Sequence, residues 1–139
     1  MTAPLRLIAQ DEDDLKIISA ALQDAVATIG DITFEPASSQ LTIAFNRFRW
    51  EEGRRERVRS AVQFGCVLGV KSRNIRRDAK SAVVELLALT FEPGEAPGGT
   101  ISFAFAGGGD LRAEVECIDA ALADLSAPWP TPRKPAHSV

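Results

Sequence analysis

Between Thr28 and Phe45 apolar residues fall on every second position. Ile32 and Phe34 share one face of a strand, the run Glu35-Pro36-Ala37-Ser38-Ser39 reads as a turn, and Leu41, Ile43 and Phe45 alternate again in a second strand. Phe48 and Trp50 continue in the opposite parity. Either a β-bulge near Asn46-Arg47 restores one apolar face, or the two rings point outward as an aromatic contact surface. Upstream the period is helical. Leu15, Ile18, Leu22 and Ala25 predict an amphipathic helix from about residue 11 or 12 to 25, with Asp11-Glu12-Asp13-Asp14 capping its first turn. Leu5 to Ala9 reads as a short edge strand.

Beyond the polar connection Glu51–Arg57, the apolar residues Val58, Val62, Phe64, Cys66, Leu68 and Val70 fall on even positions, and Gly65 and Gly69 mark a bend or a break into two strands. Residues 71–78 form a polar loop. Ala82 to Phe91 is apolar on both faces apart from Glu85 and Thr90, the pattern of a central strand covered on both sides. Ile101, Phe103 and Phe105 make a further strand. After Gly107-Gly108-Gly109 two periods compete: Leu111, Ala113 and Val115 alternate as a strand, while Leu111, Val115, Ile118, Leu122 and Leu125 fit one helical stripe. The reading adopted is a strand to Glu116 and a helix from about Cys117 to Leu125.

The expectation is therefore an α+β domain over residues 1–127. It comprises a bent antiparallel sheet or partly open barrel of six to seven strands, with an N-terminal and a C-terminal helix. Strands followed by one closing helix resemble the pleckstrin-homology superfold. Residues 128–139, with Pro128, Pro130, Pro132 and Pro135, read as a Pro-rich extended tail on which Trp129 is the one docking residue.

Composition removes much chemistry. With 139 residues, 45% of them hydrophobic, there is material for one core-bearing domain. The single histidine, His137, lies in the tail and tyrosine is absent, which excludes histidine triads, multi-imidazole metal sites and phenolic acid–base work within one chain. Cys66 and Cys117 read as two structural thiols. No catalytic residue, metal ligand or cofactor is expected. No apolar run approaches ~18 residues, and Met1-Thr2-Ala3-Pro4 is not the start of a signal peptide, so a soluble cytoplasmic protein without a transmembrane segment is expected.

The phrases Phe45-Asn46-Arg47-Phe48-Arg49-Trp50-Glu51 and Val115-Glu116-Cys117-Ile118-Asp119-Ala120-Ala121-Leu122-Ala123-Asp124-Leu125, with Pro128-Trp129 and Pro135-Ala136-His137, resemble the proteobacterial family catalogued as domain of unknown function 2948. The resemblance implies a small stand-alone bacterial domain. It brings no activity, cofactor or site residue with it.

Charge placement is the remaining signal. Eleven of the sixteen basic residues and only four acids lie between Arg47 and Lys80, a net of +7 in a chain of net charge −3. If the connections at 51–57 and 71–78 flank neighbouring strand ends, Arg54, Arg55, Arg73, Arg76 and Arg77 converge on one basic rim, beside Arg49 and Trp50. Such a rim suits a non-catalytic binding module for an acidic protein or another anionic ligand. The pI of 5.2 and the lack of a stacking motif argue against nucleic acid. The alternative is a small enzyme using carboxylates and arginines on a phosphate-bearing substrate. Gly107–Gly109 fits a hairpin turn better than a phosphate cradle, since Asp110 would oppose the anion. Glu114 and Glu116 share one strand face, as a paired-carboxylate site would require and as ordinary amphipathic strands also show.

Overall fold

The computed structural model describes residues 4–50 and 55–132. The chain opens with β1 (Arg6–Ala9), α1 (Glu12–Ala21), β2 (Val26–Thr28) and a one-turn 3-10 segment (Ile29–Asp31). It continues through β3 (Ile32–Glu35), β4 (Gln40–Phe48), β5 (Glu56–Phe64), β6 (Val67–Arg73), β7 (Val83–Pro93), β8 (Gly99–Phe105) and β9 (Asp110–Val115). β10 (Ala120–Asp124) and β11 (Trp129–Pro130) follow. Among the described residues the strands form one antiparallel sheet in the order β1-β10-β5-β4-β2-β7-β8-β9-β6, with β3 added to β4 and β11 to β5.

β2 is the bend. Its Val26 stands opposite both Asn46 of β4 and Glu85 of β7, which joins the half built from β1, β10, β5 and β4 to the half built from β7, β8, β9 and β6. The halves fold over one core: the Phe64 ring meets Phe103 edge-on with centroids 5.4 Å apart, a geometry that aromatic quadrupoles favour. α1 packs against β7 and β1. Its N-cap Asp11 accepts the Asp14 N–H at 2.8 Å, and Ser19 Oγ accepts the Leu89 N–H at 2.9 Å to tie the helix to β7. The helix stops short of the expected residue 25 because Asp24 takes a left-handed φ of 62° and turns the chain into β2. Leu22 and Ala25 stay buried all the same.

The expected α+β architecture, with helices at both ends and a pleckstrin-homology likeness, is overturned. Residues 120–124 form β10, inserted between β1 and β5 through the pairs Leu7↔Leu122 and Leu122↔Val62. Ile118, Ala120 and Leu122 are buried and Asp119 and Ala121 exposed, while Leu125, the last member of the helical stripe, is 61% exposed. Ladder bonds on two sides outweigh the high helix propensity of its alanines and leucine, which so short a segment cannot realise alone. The strand expected to Glu116 is present as β9.

Three local expectations also change. The β4–β5 register runs unbroken from Leu41↔Phe64 to Phe48↔Arg57, so there is no bulge at Asn46-Arg47. Parity is kept by Arg47, which continues the inward series Leu41, Ile43, Phe45 and is wholly buried. Phe48 lies on the opposite face, yet Trp50 (centroids 4.6 Å apart) and Arg57 (6.0 Å from the ring centre) cover it, leaving it 2% exposed. β7 is covered on one face only: Val83 and Leu87 are exposed, and a register shift between Leu86 and Ala88 lets Leu86 and Leu89 both point inward. The long stretch from Val58 does break in two, at Gly65-Cys66, where Cys66 has φ 58°. The inward phase changes there, burying Val67 and exposing Leu68.

Gly107 and Gly108, both at positive φ, make the β8–β9 hairpin turn, and no helix follows to receive a phosphate. The start of the Pro-rich tail is ordered, with Trp129 opposite Arg57 and the Thr131 N–H donating to Arg55 O. Pro135 and His137 lie outside the described residues. Among the described residues no helix is long and apolar enough to cross a membrane.

Candidate functional site

β6 is an edge strand whose neighbour is β9. Its alternation sends Lys71 and Arg73 to the exposed side and leaves Val70 and Ser72 half-buried. Antiparallel pairing sets Arg112 directly opposite Lys71, and Asp110 opposite Arg73. Asp110 Oδ2 accepts from Arg73 Nη2 at 2.7 Å, and Arg112 Nε stands 3.7 Å from Asp110 Oδ1. Asn74, at φ 57°, turns the chain out of β6 into the 74–82 loop. That loop holds Arg76, Arg77 and Lys80, all exposed. Arg77 Nε donates to Ser72 Oγ at 2.8 Å, and Arg76 lies 3.9 Å from Asp78. Six cations thus gather around one strand end with the carboxylates of Asp110 and Asp78. Opposed like charges such as Lys71 and Arg112 destabilise a sheet unless an anion lies between them.

The rim expected from the sequence is divided. Arg73, Arg76 and Arg77 are brought together here. Arg49 is 4% exposed and its Nη1 pairs with Glu56 Oε1 at 2.7 Å. Trp50 is half-buried and its Nε1 donates to Gln23 O at 3.0 Å. Arg55 is exposed beside β11, and Arg54 lies outside the described residues. β2 explains the division: β4 leaves it past Val26 towards Gln23, whereas the 74–82 loop bonds to Ile29 and Gly30 at its other end. Lys71 and Lys80 belong to the basic segment; Arg112 reaches the site only through register, which a sequence without pairing information cannot supply.

A hollow of about 190 Å³ lies among Lys71, Ser72, Arg73, Asp110 and Arg112 themselves, and further hollows border the edge. Behind β6 an apolar cavity of about 210 Å³ opens between β6 and β3, lined by Val70, Ile32, Phe34 and Ile75, with Arg77 and Lys80 also in its wall. A larger, shallow cleft of about 570 Å³ lies at the other end of β9, along the turn 94–99, and contains Glu95, Glu114 and Glu116 but no cation. The carboxylate pair expected on β9 is therefore solvated and lies away from the basic cluster.

A family model described as protein of unknown function (DUF2948) matches residues 5–137. The chain belongs to the DUF2948 family. No curated protein and no solved structure matches it.

The two phrases that carried the family resemblance supply the halves of the DUF2948 domain's buried ion pair. Arg47 Nε donates to Asp124 Oδ1 and Nη2 to Asp124 Oδ2, each at 2.9 Å. Ser60 Oγ donates to Asp124 Oδ1 at 2.6 Å, and the Leu5 N–H to Oδ2 at 2.8 Å. Burial pushes the Asp124 carboxyl up, but Arg47, Ser60 and the Leu5 amide together hold it below the ordinary carboxylate range. Asp31 is held down in the same way: burial is outweighed by the Thr28 amide, Arg59 and the Thr28 hydroxyl. Both shifts belong to anions locked in place. Sequence reasoning missed Arg47 and Asp124 as a pair, although each sits in the core-facing phase of its strand.

The placement of the two thiols also differs from expectation. Cys66, at the β5–β6 break, is out of phase with the core, and its carbonyl accepts the Glu116 N–H at 2.9 Å. That bond brings in Cys117. A hydrogen bond with the Cys117 thiol, then burial, push the Cys66 thiol up, and the Asp119 and Glu116 carboxylates add to the effect. Among the described residues no group of three or more His, Cys, Asp or Glu is placed to hold a metal ion.

Proposed function

We propose that this DUF2948 domain is a non-catalytic binding module whose contact surface is the basic end of β6, taking an anionic partner, above all an acidic protein segment. One observation carries the reading: Lys71, Arg73, Arg76, Arg77, Lys80 and Arg112 share one strand end with two carboxylates, and Lys71 directly opposes Arg112. A net positive charge held on a rigid edge raises the local concentration of an anionic ligand and orients its approach.

The test is the Arg76→Glu/Arg77→Glu variant of the full chain with polyglutamate as probe. Both side chains are exposed, so stability should stay within about ±0.5 kcal/mol per site. Polyglutamate binding, followed by anisotropy, should weaken at least about tenfold, and wild-type binding should fall as salt rises to about 0.3 M. Unaltered binding in the variant would show that the edge is merely solvated. A collapse of thermal stability would make the two arginines internal counter-charges.

A further inference from the structure

The seam beside the basic edge is unfinished sheet. Among the described residues β6 pairs with β9 alone and β3 with β4 alone, so each strand leaves one edge open. Among the described residues the backbone bond between the two sides is Val67 N–H to Ser39 O, at the closed end of the seam. From there β6 and β3 part, and the apolar cavity opens between Val70 on one side and Ile32 and Phe34 on the other. At about 210 Å³ it is smaller than the ~300–1,000 Å³ of ordinary small-molecule sites and suits one large side chain.

We infer that an extended acidic peptide adds as a strand to the open edge of β6 and drops one large apolar side chain into this cavity. The inference rests on the reading of the basic edge as the contact surface and states how a partner would use it. Edge N–H and C=O groups supply the hydrogen bonds of strand addition, and the cavity supplies specificity for alternate side chains. Charge selects the occupant. Arg77 and Lys80 line the cavity and so meet acids two positions from the apolar anchor, on the same face of the incoming strand; Lys71 and Arg73 meet acids on the other face. Charged residues and a register shift such as that between Val67 and Gly69 also keep edges from pairing indiscriminately. On this edge they discourage a basic or apolar strand and leave an acidic one favoured.

The experiment uses the full chain and a fluorescein-labelled, acetylated peptide, Asp-Glu-Val-Phe-Val-Glu-Asp. Two further versions are N-methylated on alternate amides, one for each edge of the peptide, and in another Phe is replaced by Ala. Binding is read by anisotropy, and amide hydrogen exchange is followed across residues 69–73. The expected result is that one N-methylated version and the Ala version each bind at least about tenfold more weakly than the parent, and that the parent slows exchange in β6. If both N-methylated versions and polyglutamate bind as well as the parent, strand addition is wrong while the basic-edge reading stands. If no acidic probe binds, both fall. A concentration-dependent dimer that protects the same amides without peptide would give the edge to a second copy. Decanoate displacing the peptide without protecting β6 would make the cavity a small-anion site. Either outcome overturns the proposal.

Discussion

Arg47 and Asp124 show what one charged residue in a core-facing phase demands. Replacing Arg47 by Met leaves a buried carboxylate without its cation, and Asp124→Asn leaves the guanidinium in the same position. Each should cost about 3–5 kcal/mol in urea denaturation, and Arg47→Met with Asp124→Leu together should cost much less than the sum, because the pair's desolvation is relieved. The pair also sets an acid limit. A carboxyl whose folded pKa lies below its unfolded value contributes stability that is full above the unfolded value and is lost as pH falls through the folded one. Asp124 and Asp31 share that direction. Stability should therefore decline below about pH 4, and Asp124→Asn should flatten the decline. Cys66 carries the opposite displacement. Its raised thiol should alkylate more slowly at pH 7 than a free thiol and faster as pH rises, and rapid labelling at neutral pH would contradict the contact with Cys117. Period two carries Arg47 into the inward phase of Leu41, Ile43 and Phe45, but the expected bulge at Asn46-Arg47 hid it, because a buried arginine is not anticipated without its partner. Its acid, 77 positions away, could not be chosen from sequence, since several acids share such a phase.

At the scale of elements, β3, β4, β5 and β8 were legible because period two was unopposed in them, whereas in β9 it competed with a helical stripe through Leu111 and Val115. Residues 117–125 were not legible, because Ile118, Leu122 and Leu125 serve a helix as well as Ile118, Ala120 and Leu122 serve a strand. Only the flanking edges of β1 and β5 decide between them, and no local signal records those edges. The two readings predict different mutants. Leu122→Ala should cost about 2–5 kcal/mol, whereas Leu125→Glu, at a position 61% exposed, should stay within about 0.5 kcal/mol. Equal, large losses in a thermal melt would restore the helical stripe. The basic edge was half legible in the same sense: Arg73, Arg76 and Arg77 are near in sequence, while Arg112 enters through the β6–β9 register.

For the whole molecule, the segregation of charge into a basic middle and acidic flanks was plain from the sequence, but its division over the surface was not, because that depends on the two connections leaving opposite ends of β2. The pairing of the strand at the far end of the sheet was equally hidden. β1 completes the path by pairing Arg6 with Ala123 and Ala9 with Ala120, and the Leu5 amide reaches Asp124. Removing residues 1–9 should expose the β10 edge and take a hydrogen bond from the buried carboxylate, giving a loss of about 3 kcal/mol or more and self-association visible by sedimentation.

That pairing also has a consequence during synthesis. The first strand emerges from the ribosome with no partner and must wait for a segment more than a hundred positions later, which at about 5–20 residues per second is a delay of several seconds. Leu5, Leu7 and Ala9 remain uncovered throughout, and the nascent chain cannot finish its sheet from the N-terminus. Synthesis of the full chain at a slowed rate should therefore lengthen the time for which this first strand stays open to chaperone binding, as co-translational crosslinking would read.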